Sequence, residues 1–255
     1  MSEATRSVDR ALDILLCFSI NTPELSMTQI AERTSMNKST VHRLLATLEA
    51  KRFVERNQFT SHYRLGNRLL QMAFLTLDRD NLRNVASPFL ISLSELFKET
   101  LTLSIIDETD VVNIFVIESP QRVKVSADLG QKIPVCCSAA GQAILAYASE
   151  DVVEKVNELF IARNSKPPLN DMEGMSQLLE LIRERGFACS EEEYEADVNS
   201  IASPILDASM RPLAVITLSG PANRLPRNRM LEIGPIVTET ARKIAAEYLT
   251  SRLSR

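Results

Sequence analysis

The sequence has few of the residues on which many enzyme and metal sites depend. It contains 2 histidines, 7 glycines, 4 cysteines and no tryptophan in 255 residues. Both histidines, His42 and His62, lie in the first quarter, which excludes a Ser-His-Asp triad, a Cys-His pair or a His-rich zinc site built beyond Tyr63. The glycines are dispersed, and neither GxGxxG nor GxxxxGK[ST] occurs. We therefore expect no enzyme of these classes, no metal and no cofactor.

Charge and cysteine usage are consistent with a two-part protein. Residues 1–65 contain 9 Lys+Arg and 7 Asp+Glu, whereas the remainder contains 20 and 26. A slightly basic part joined to an acidic part indicates different partners. There is no CxxC spacing, no signal peptide and no apolar run near the roughly 20 residues of a membrane helix. We predict a cytoplasmic protein with free thiols and no membrane contact.

The first 50 residues predict three helices. Apolar residues at helical spacing indicate an amphipathic helix over Ser7–Phe18, and they are Val8, Leu12, Leu15 and Leu16. Ser26 and Gln29 form a capping-box pattern for a short second helix. Asn37 is a suitable N-cap for a third helix over Lys38–Ala50.

The third helix has two chemically different faces. Its buried stripe is predicted to contain Val41, Leu44, Leu45 and Leu48. Its other face is polar and cationic and contains Lys38, Ser39, Thr40, Arg43 and Thr47, with His42 at the margin. Such a helix can enter the DNA major groove, and with the second helix it forms a helix-turn-helix.

Two short strands, Phe53–Glu55 and Tyr63–Leu65, follow around a polar, basic loop and predict a β-hairpin wing. A small helical domain with a solvated polar face is the alternative interpretation. The residues expected to contact DNA are Arg6, Thr28, Gln29, Asn37, Lys38, Ser39, Thr40, His42, Arg43, Thr47, His62 and Arg64.

The rest of the chain mixes helices and strands. Leu69–Leu77 is apolar and helical, and the charged residues after it mark the expected domain boundary. Pro88–Phe97 predicts a helix, and Val123–Leu129 alternates enough to predict a strand. Further strands are expected over 101–107, 111–118, 187–190, 201–206 and 213–219, with helices over 138–147, 151–160, 172–184 and 226–252. Because no regular βαβ spacing occurs, we predict an α+β domain with a mainly antiparallel sheet.

Several motifs together resemble the IclR-type bacterial transcriptional regulators. In the first part these are Arg6–Leu12, Leu25–Ala31, Asn37–Leu45 and Tyr63–Gly66. In the second they are Ser138–Ala146, Gly186–Glu193, Asn199–Ile205, Ser219–Pro221 and Arg224–Leu225. The resemblance implies a winged helix-turn-helix domain over 1–66, a linker helix over 67–82 and a GAF-like effector domain over 83–255.

The resemblance also implies partners and a ligand site. The expected partners are a pseudo-palindromic DNA operator, a small effector such as a carboxylate or aromatic acid, and copies of the chain in a homodimer and homotetramer. The expected effector-binding residues are Leu129, Cys137, Ser138, Ala139, Ala140, Ser190, Val198 and Ser200. The resemblance implies a regulator rather than an enzyme. Two alternatives are a redox-sensing regulator acting through Cys136 and Cys137, and a cysteine-dependent enzyme.

Overall fold

The chain divides into two compact units, Met1–Asp80 and Asn81–Arg255. The computed structural model describes residues 5–19, 22–80, 82–107, 109–162 and 172–253. The residue pair at which the units divide lies within the segment that the sequence analysis assigns to a linker.

The first unit consists of helices and a small sheet. Its helices are α1 Arg6–Leu16, α2 Met27–Thr34, α3 Lys38–Ala50 and α4 Asn67–Asp80. Its strands are β1 Glu24–Leu25, β2 Val54–Arg56 and β3 Tyr63–Leu65. The strands form an antiparallel sheet in the order β1-β3-β2, so β2 and β3 are the predicted hairpin and β1 is an unpredicted third strand.

The capping box predicted for α2 is confirmed. The Ser26 hydroxyl accepts a hydrogen bond from the Gln29 backbone N–H at 3.3 Å, and the Gln29 side chain accepts one from the Ser26 N–H at 2.8 Å. These bonds satisfy two donors at the helix start. The left-handed backbone of Ser35 (φ 53°) then ends α2 and leads to α3.

The apolar face predicted for α1 is largely not the face that packs. Val8, Leu12 and Leu16 are 57%, 52% and 80% exposed, whereas Ile14 is fully buried. Ile14 packs with residues of α2, α3 and the sheet, and Ala11 lies against the same cluster. The periodicity therefore identifies a helix correctly, but most of its apolar stripe remains at the surface of this unit.

The second unit contains a six-stranded antiparallel sheet. Its strands are β4 Thr100–Asp107, β5 Asp110–Ile117, β6 Lys132–Pro134, β7 Ala188–Glu191, β8 Val198–Leu206 and β9 Pro212–Pro221. They lie in the order β6-β5-β4-β9-β8-β7. The helices are α5 Leu82–Phe97, α6 Ala139–Leu145, α7 Glu150–Ala162, α8 Met172–Arg185 and α9 Arg227–Leu253. The α+β prediction is confirmed.

Two apolar clusters cover the two faces of this sheet. Leu101 and Leu103 of β4 belong to the cluster that includes α5 and α9. Ala202 and Val215 belong to the cluster that includes α6 and α8. Because side chains alternate along a strand, Thr100 and Thr102 face away from the Leu101 side. The second face thus combines apolar contacts with a row of hydroxyl groups.

The strand predicted over Val123–Leu129 is wrong, and the α5 prediction is too short. The third strand of the second unit is instead β6, which pairs with β5. The 123–129 segment is held by side-chain bonds: the Thr100 hydroxyl donates to the Val125 carbonyl at 2.6 Å. Helix α5 begins six residues before Pro88, which lies inside it. Among the residues that the structure describes, no helix is long and apolar enough to cross a membrane.

Candidate nucleic-acid interface and ligand cavity

Helix α3 has the bounds predicted from the sequence, and its outer face is available for contact. Val41, Leu45 and Leu48 are buried in the core of the first unit. Most side chains predicted to contact DNA from this helix are exposed, namely Lys38, Ser39, His42, Arg43 and Thr47, and Thr40 is half-buried. The face therefore offers two permanent cations and several hydroxyls, groups suited to phosphates and base edges.

A groove between α1 and α3 gathers part of the predicted set. It is lined by Arg6, Thr40, Arg43 and Thr47, and also by Arg10, which the sequence analysis did not select. The Thr47 hydroxyl donates to the Arg43 carbonyl at 3.0 Å, which fixes that hydroxyl on the helix. The groove therefore places three arginines beside the outer face of α3.

The residues predicted to contact DNA from α2 and the start of α3 differ in whether their side chains are already hydrogen-bonded. Thr28 is exposed, but the side-chain amide oxygen of Gln29 already accepts the capping hydrogen bond from the Ser26 N–H. Asn37 stands at the N-cap position of α3 without a side-chain capping bond, so its amide is not engaged there. Of the set, Asn37 and Thr28 therefore have freer side chains than Gln29.

On the wing, Arg64 and His62 already have partners. The Arg64 guanidinium donates to Glu55 at 3.2 Å, and the His62 Nδ1 lies 2.9 Å from the Thr60 carbonyl. Arg56, which the sequence analysis did not select, is exposed and lies 5.8 Å from the centre of the Tyr63 ring. The wing therefore presents three basic residues around its strands.

A cavity lies on the sheet face covered by α6. Four hydroxyl residues form one row across its floor, because Ser190 pairs with Ser200, Ser200 with Ser219, and Ser219 with Thr100. Thr102 and Thr217 pair in the next row. These residues come from four strands that are far apart in sequence, and strand register brings them together.

Hydrogen bonds engage the Thr100, Ser200 and Ser219 hydroxyls, whereas the Thr217 hydroxyl has no partner among the described residues. Ser200 and Ser219 are 2.8 Å apart at their oxygens, and the Thr100 hydroxyl also accepts from the Ser119 N–H at 3.1 Å. The Thr217 hydroxyl is buried and has no hydrogen-bond partner among the described residues. An unpaired buried hydroxyl is unfavourable, so this group is available to a ligand that enters the cavity.

The start of α6 forms another wall. The Ser138 hydroxyl donates to the Pro134 carbonyl at 2.8 Å and accepts from the Gly141 N–H at 3.1 Å. The first N–H groups of a helix, here those of Ala139 and Ala140, have no partner within the helix. A Cβ at Gly141 would lie 1.8 Å from the Val135 carbonyl oxygen, so only glycine permits this close approach.

The 192–197 segment contributes the rim. Tyr194 and Glu195 line the cavity. Glu193 is exposed over much of its surface, but its carboxylate accepts a hydrogen bond from buried Gln142 at 2.5 Å. Burial raises the pKa of the Glu193 carboxyl, and the Gln142 bond opposes this change. No Lys or Arg is among the described residues that line the cavity.

The structure brings together six of the eight residues predicted to bind an effector: Ser138, Ala139, Ala140, Ser190, Val198 and Ser200. Leu129 is 55% exposed and Cys137 is half-buried, and neither lines the cavity. The lining residues that were not predicted from the sequence include Thr100, Thr102, Asn113, Tyr194, Thr217 and Ser219. Alternation of Thr with Leu in Thr100–Leu103 was a signal that one strand face is polar.

The cysteines form no assembled site in the described part of the chain. Cys17 and Cys189 are free thiols, and the Cys136 side chain lies outside what the structure describes. Burial raises the pKa of the Cys17 and Cys189 thiols, which disfavours the reactive thiolate. The described residues contain no cluster of three His, Cys, Asp or Glu side chains that could hold a metal ion.

Comparison with protein families gives matches to both units. The sequence matches the family described as "Bacterial transcriptional regulator IclR C-terminal" over residues 74–246. It matches "IclR helix-turn-helix domain" over residues 7–58. The two matches together span most of the chain.

Individual relatives and solved structures agree with these matches. The HTH-type transcriptional regulator BhcR of Paracoccus denitrificans is 31% identical over 245 residues, which are 96% of this chain and 88% of that protein. The transcriptional repressor IclR of Escherichia coli K12 is 27% identical over 250 residues, 95% of this chain and 90% of that protein. The crystal structure of Thermotoga maritima IclR superposes with a TM-score of 0.75 at 27% identity, covering 96% of this chain and 99% of that one.

Proposed function

Since this chain belongs to the IclR family of bacterial transcriptional regulators, we propose that it is a cytoplasmic repressor whose affinity for its operator changes when a small organic acid binds. The chain is a DNA-binding regulator with a ligand-binding C-terminal domain and not an enzyme. The observation that carries the DNA-binding part is the exposed polar and cationic face of α3. The observation that carries the sensing part is the hydroxyl-lined cavity behind α6.

The DNA contact is assigned to the first unit. Arg43 reads base edges in the major groove, while Lys38, Ser39 and Asn37 hold phosphates near the start of α3. The other predicted contacts, Arg6, Thr28, Gln29, Thr40, His42, Thr47, His62 and Arg64, support the docking of α3 or hold the backbone. The segment 67–82 serves as the linker to the effector domain.

A gel shift with an operator selected from random duplexes tests this assignment. Arg43→Ala should weaken specific binding by about 1–3 kcal/mol, because it removes a base-edge contact. Arg68→Ala is a matched control, since Arg68 is an exposed arginine on α4 bonded to Gln71 at 3.1 Å. Equal operator affinity of the Arg43 variant and the control would remove α3 as the reading helix.

The exposed stripe of α1 supports a dimer. Val8, Leu12 and Leu16 are exposed apolar side chains four residues apart on α1, which a second copy can bury. A dimer would place two α3 helices on the half-sites of a pseudo-palindrome. Sedimentation of the free protein tests this point. Leu12→Asp should shift the protein toward the monomer, and the same experiment distinguishes dimer from tetramer.

The size and polarity of the cavity limit the effector. Its volume is about 60 Å³, whereas an engineered cavity of roughly 150 Å³ is known to hold a benzene ring. We therefore favour a compact aliphatic acid over an aromatic one. With no cationic side chain at the described lining, its carboxylate would be held by the Ala139 and Ala140 N–H groups and the hydroxyl row.

Thermal shift with acetate, glycolate, lactate and benzoate, each against its uncharged amide, tests the ligand class. A ligand that binds only the folded protein raises its melting temperature. Ser200→Phe should abolish that shift by filling the cavity, and Ser209→Phe, on an exposed turn, should leave it intact. Equal shifts with an acid and its amide would contradict recognition of a carboxylate.

A further inference from the structure

The side chain of Phe59 is 99% exposed, the largest exposure among the large apolar side chains of the described chain. It lies at the tip of the wing, between β2 and β3. A fully exposed phenylalanine buries almost nothing of its ring in the isolated molecule. The residue is therefore positioned without contributing packing to its own domain.

The tip that carries Phe59 is a bonded turn. The Asn57 side-chain oxygen accepts from the Phe59 N–H at 3.0 Å and from the Thr60 N–H at 3.3 Å. The Asn57 N–H donates to the His62 carbonyl at 2.8 Å, and the Ser61 N–H donates to the Asn57 carbonyl at 2.9 Å. The ring is thus presented by a preorganised turn, which lowers the entropy lost on binding.

The surroundings of Phe59 favour a polyanion. No Asp or Glu occurs between Glu55 and Asp78 in the sequence, while Arg56, His62 and Arg64 lie on the same hairpin. Glu55 itself is paired with Arg64. An apolar ring on a hairpin that carries two arginines, Arg56 and Arg64, matches a nucleic acid, whose bases offer apolar faces between lines of phosphates.

We propose that Phe59 enters the minor groove beside the α3 site and inserts between two base pairs, so that the wing bends the operator. The inference rests on the proposed DNA-binding function and adds a wedge to it. The neighbouring minor groove lies about half a helical turn, roughly 17 Å, from the centre of the major-groove site. Inserted apolar side chains are a known way to unstack and kink a duplex.

The test uses the full-length chain and duplexes of the selected operator with 2-aminopurine about five base pairs from the centre of each half-site. The wild type should increase 2-aminopurine fluorescence, because unstacking relieves its quenching. Phe59→Ala should lose this signal and weaken binding on the order of tenfold. Phe59→Trp should retain both. Gln58→Ala, an exposed neighbour on the same tip, is the matched control and should behave as wild type.

Salt dependence separates the wedge from a phosphate contact. The slope of log affinity against log salt should be unchanged in Phe59→Ala and smaller by about 1 in Arg56→Ala. Unchanged operator affinity of Phe59→Ala would overturn the insertion of the Phe59 ring. Contact with a protein partner would then remain as the role of the exposed ring. Weaker operator binding by Phe59→Ala, together with no change in 2-aminopurine fluorescence when the wild type binds, would overturn insertion. Loss of operator binding in Arg43→Ala, with normal binding in Phe59→Ala, would retain the proposed function and reject the wedge alone.

Discussion

Thr217→Val is a substitution whose sign follows directly from the cavity wall. Thr217 is 8% exposed, and its hydroxyl has no partner among the described residues. Valine has nearly the same shape, so packing is retained while the unpaired hydroxyl is removed. Leaving a buried polar group unsatisfied costs about 1–3 kcal/mol. We expect the ligand-free protein to gain about 1 kcal/mol in its free energy of unfolding.

Thr100→Val is the matched comparison, and its effect should have the opposite sign. Thr100 is 1% exposed, donates to the Val125 carbonyl at 2.6 Å and accepts from the Ser119 N–H at 3.1 Å. The same chemical change here breaks two bonds and leaves a carbonyl and an N–H without their partner. At about 1 kcal/mol for each bond, the expected loss is about 2 kcal/mol.

Calorimetric melting of the effector-domain transition measures both effects. A change of 1 kcal/mol corresponds to roughly 2–4 °C for a domain of this size. Thr217→Val should therefore melt about 2–4 °C higher than wild type, and Thr100→Val about 4–8 °C lower. Thr217→Val should also reduce the ligand-induced rise in melting temperature. A decrease in Thr217→Val equal to that in Thr100→Val would contradict the assignment of the Thr217 hydroxyl as a buried group without a partner among the described residues.

Three further predictions concern the second unit. Glu99→Gln should destabilise it by about 2 kcal/mol in urea unfolding, because the amide replaces a buried carboxylate that Arg224 contacts at 2.6 and 2.7 Å. Gly141→Ala should lower the melting temperature by several degrees, because its Cβ would overlap the Val135 carbonyl oxygen. Because burial raises the pKa of Cys189, its alkylation by iodoacetamide should be slow at pH 7 and accelerate only above the usual thiol range.

Each of these predictions has a contradicting result. Unchanged unfolding in Glu99→Gln would mean that the ion pair contributes nothing, and normal melting of Gly141→Ala would mean that α6 can shift. Fast alkylation of Cys189 at neutral pH would contradict the raised pKa of its thiol. Because burial raises the pKa of Cys189, the folded protein also holds the proton of this thiol more tightly than the unfolded chain does. The stability that it contributes is therefore lost as pH rises above the unfolded pKa.

The first unit was predictable where signals are local. Asn37 and the Val41–Leu45–Leu48 spacing indicate the start and the buried face of α3, and its bounds agree with the prediction. Helix α1 shows what a local sequence pattern does not predict. Its apolar spacing resembles a core stripe, but the core receives Ile14, because periodicity reports which residues share a face and not what that face meets.

The cavity could be predicted only in part because its floor depends on strand register. The α6 residues Ala139 and Ala140 are adjacent in sequence and were identified. Ser219 and Thr100 meet because β9 lies between β4 and β8, a pairing of distant segments that no local pattern encodes. The strand predicted over 123–129 is wrong for a related reason. Its alternating side-chain pattern suits a strand, but a side-chain hydrogen bond from Thr100 holds the segment at the cavity.

Control of DNA binding by the cavity is tested most directly by the operator affinity of the full chain, measured by fluorescence anisotropy with and without the acid that gives the largest thermal shift. The coupling between the two sites predicts a change of at least about fivefold in Kd for the wild type. Ser200→Phe should bind the operator as tightly as the ligand-free wild type and show no change on adding the acid. An unchanged wild-type Kd, or a full response in Ser200→Phe, would contradict the proposal that the cavity controls DNA binding.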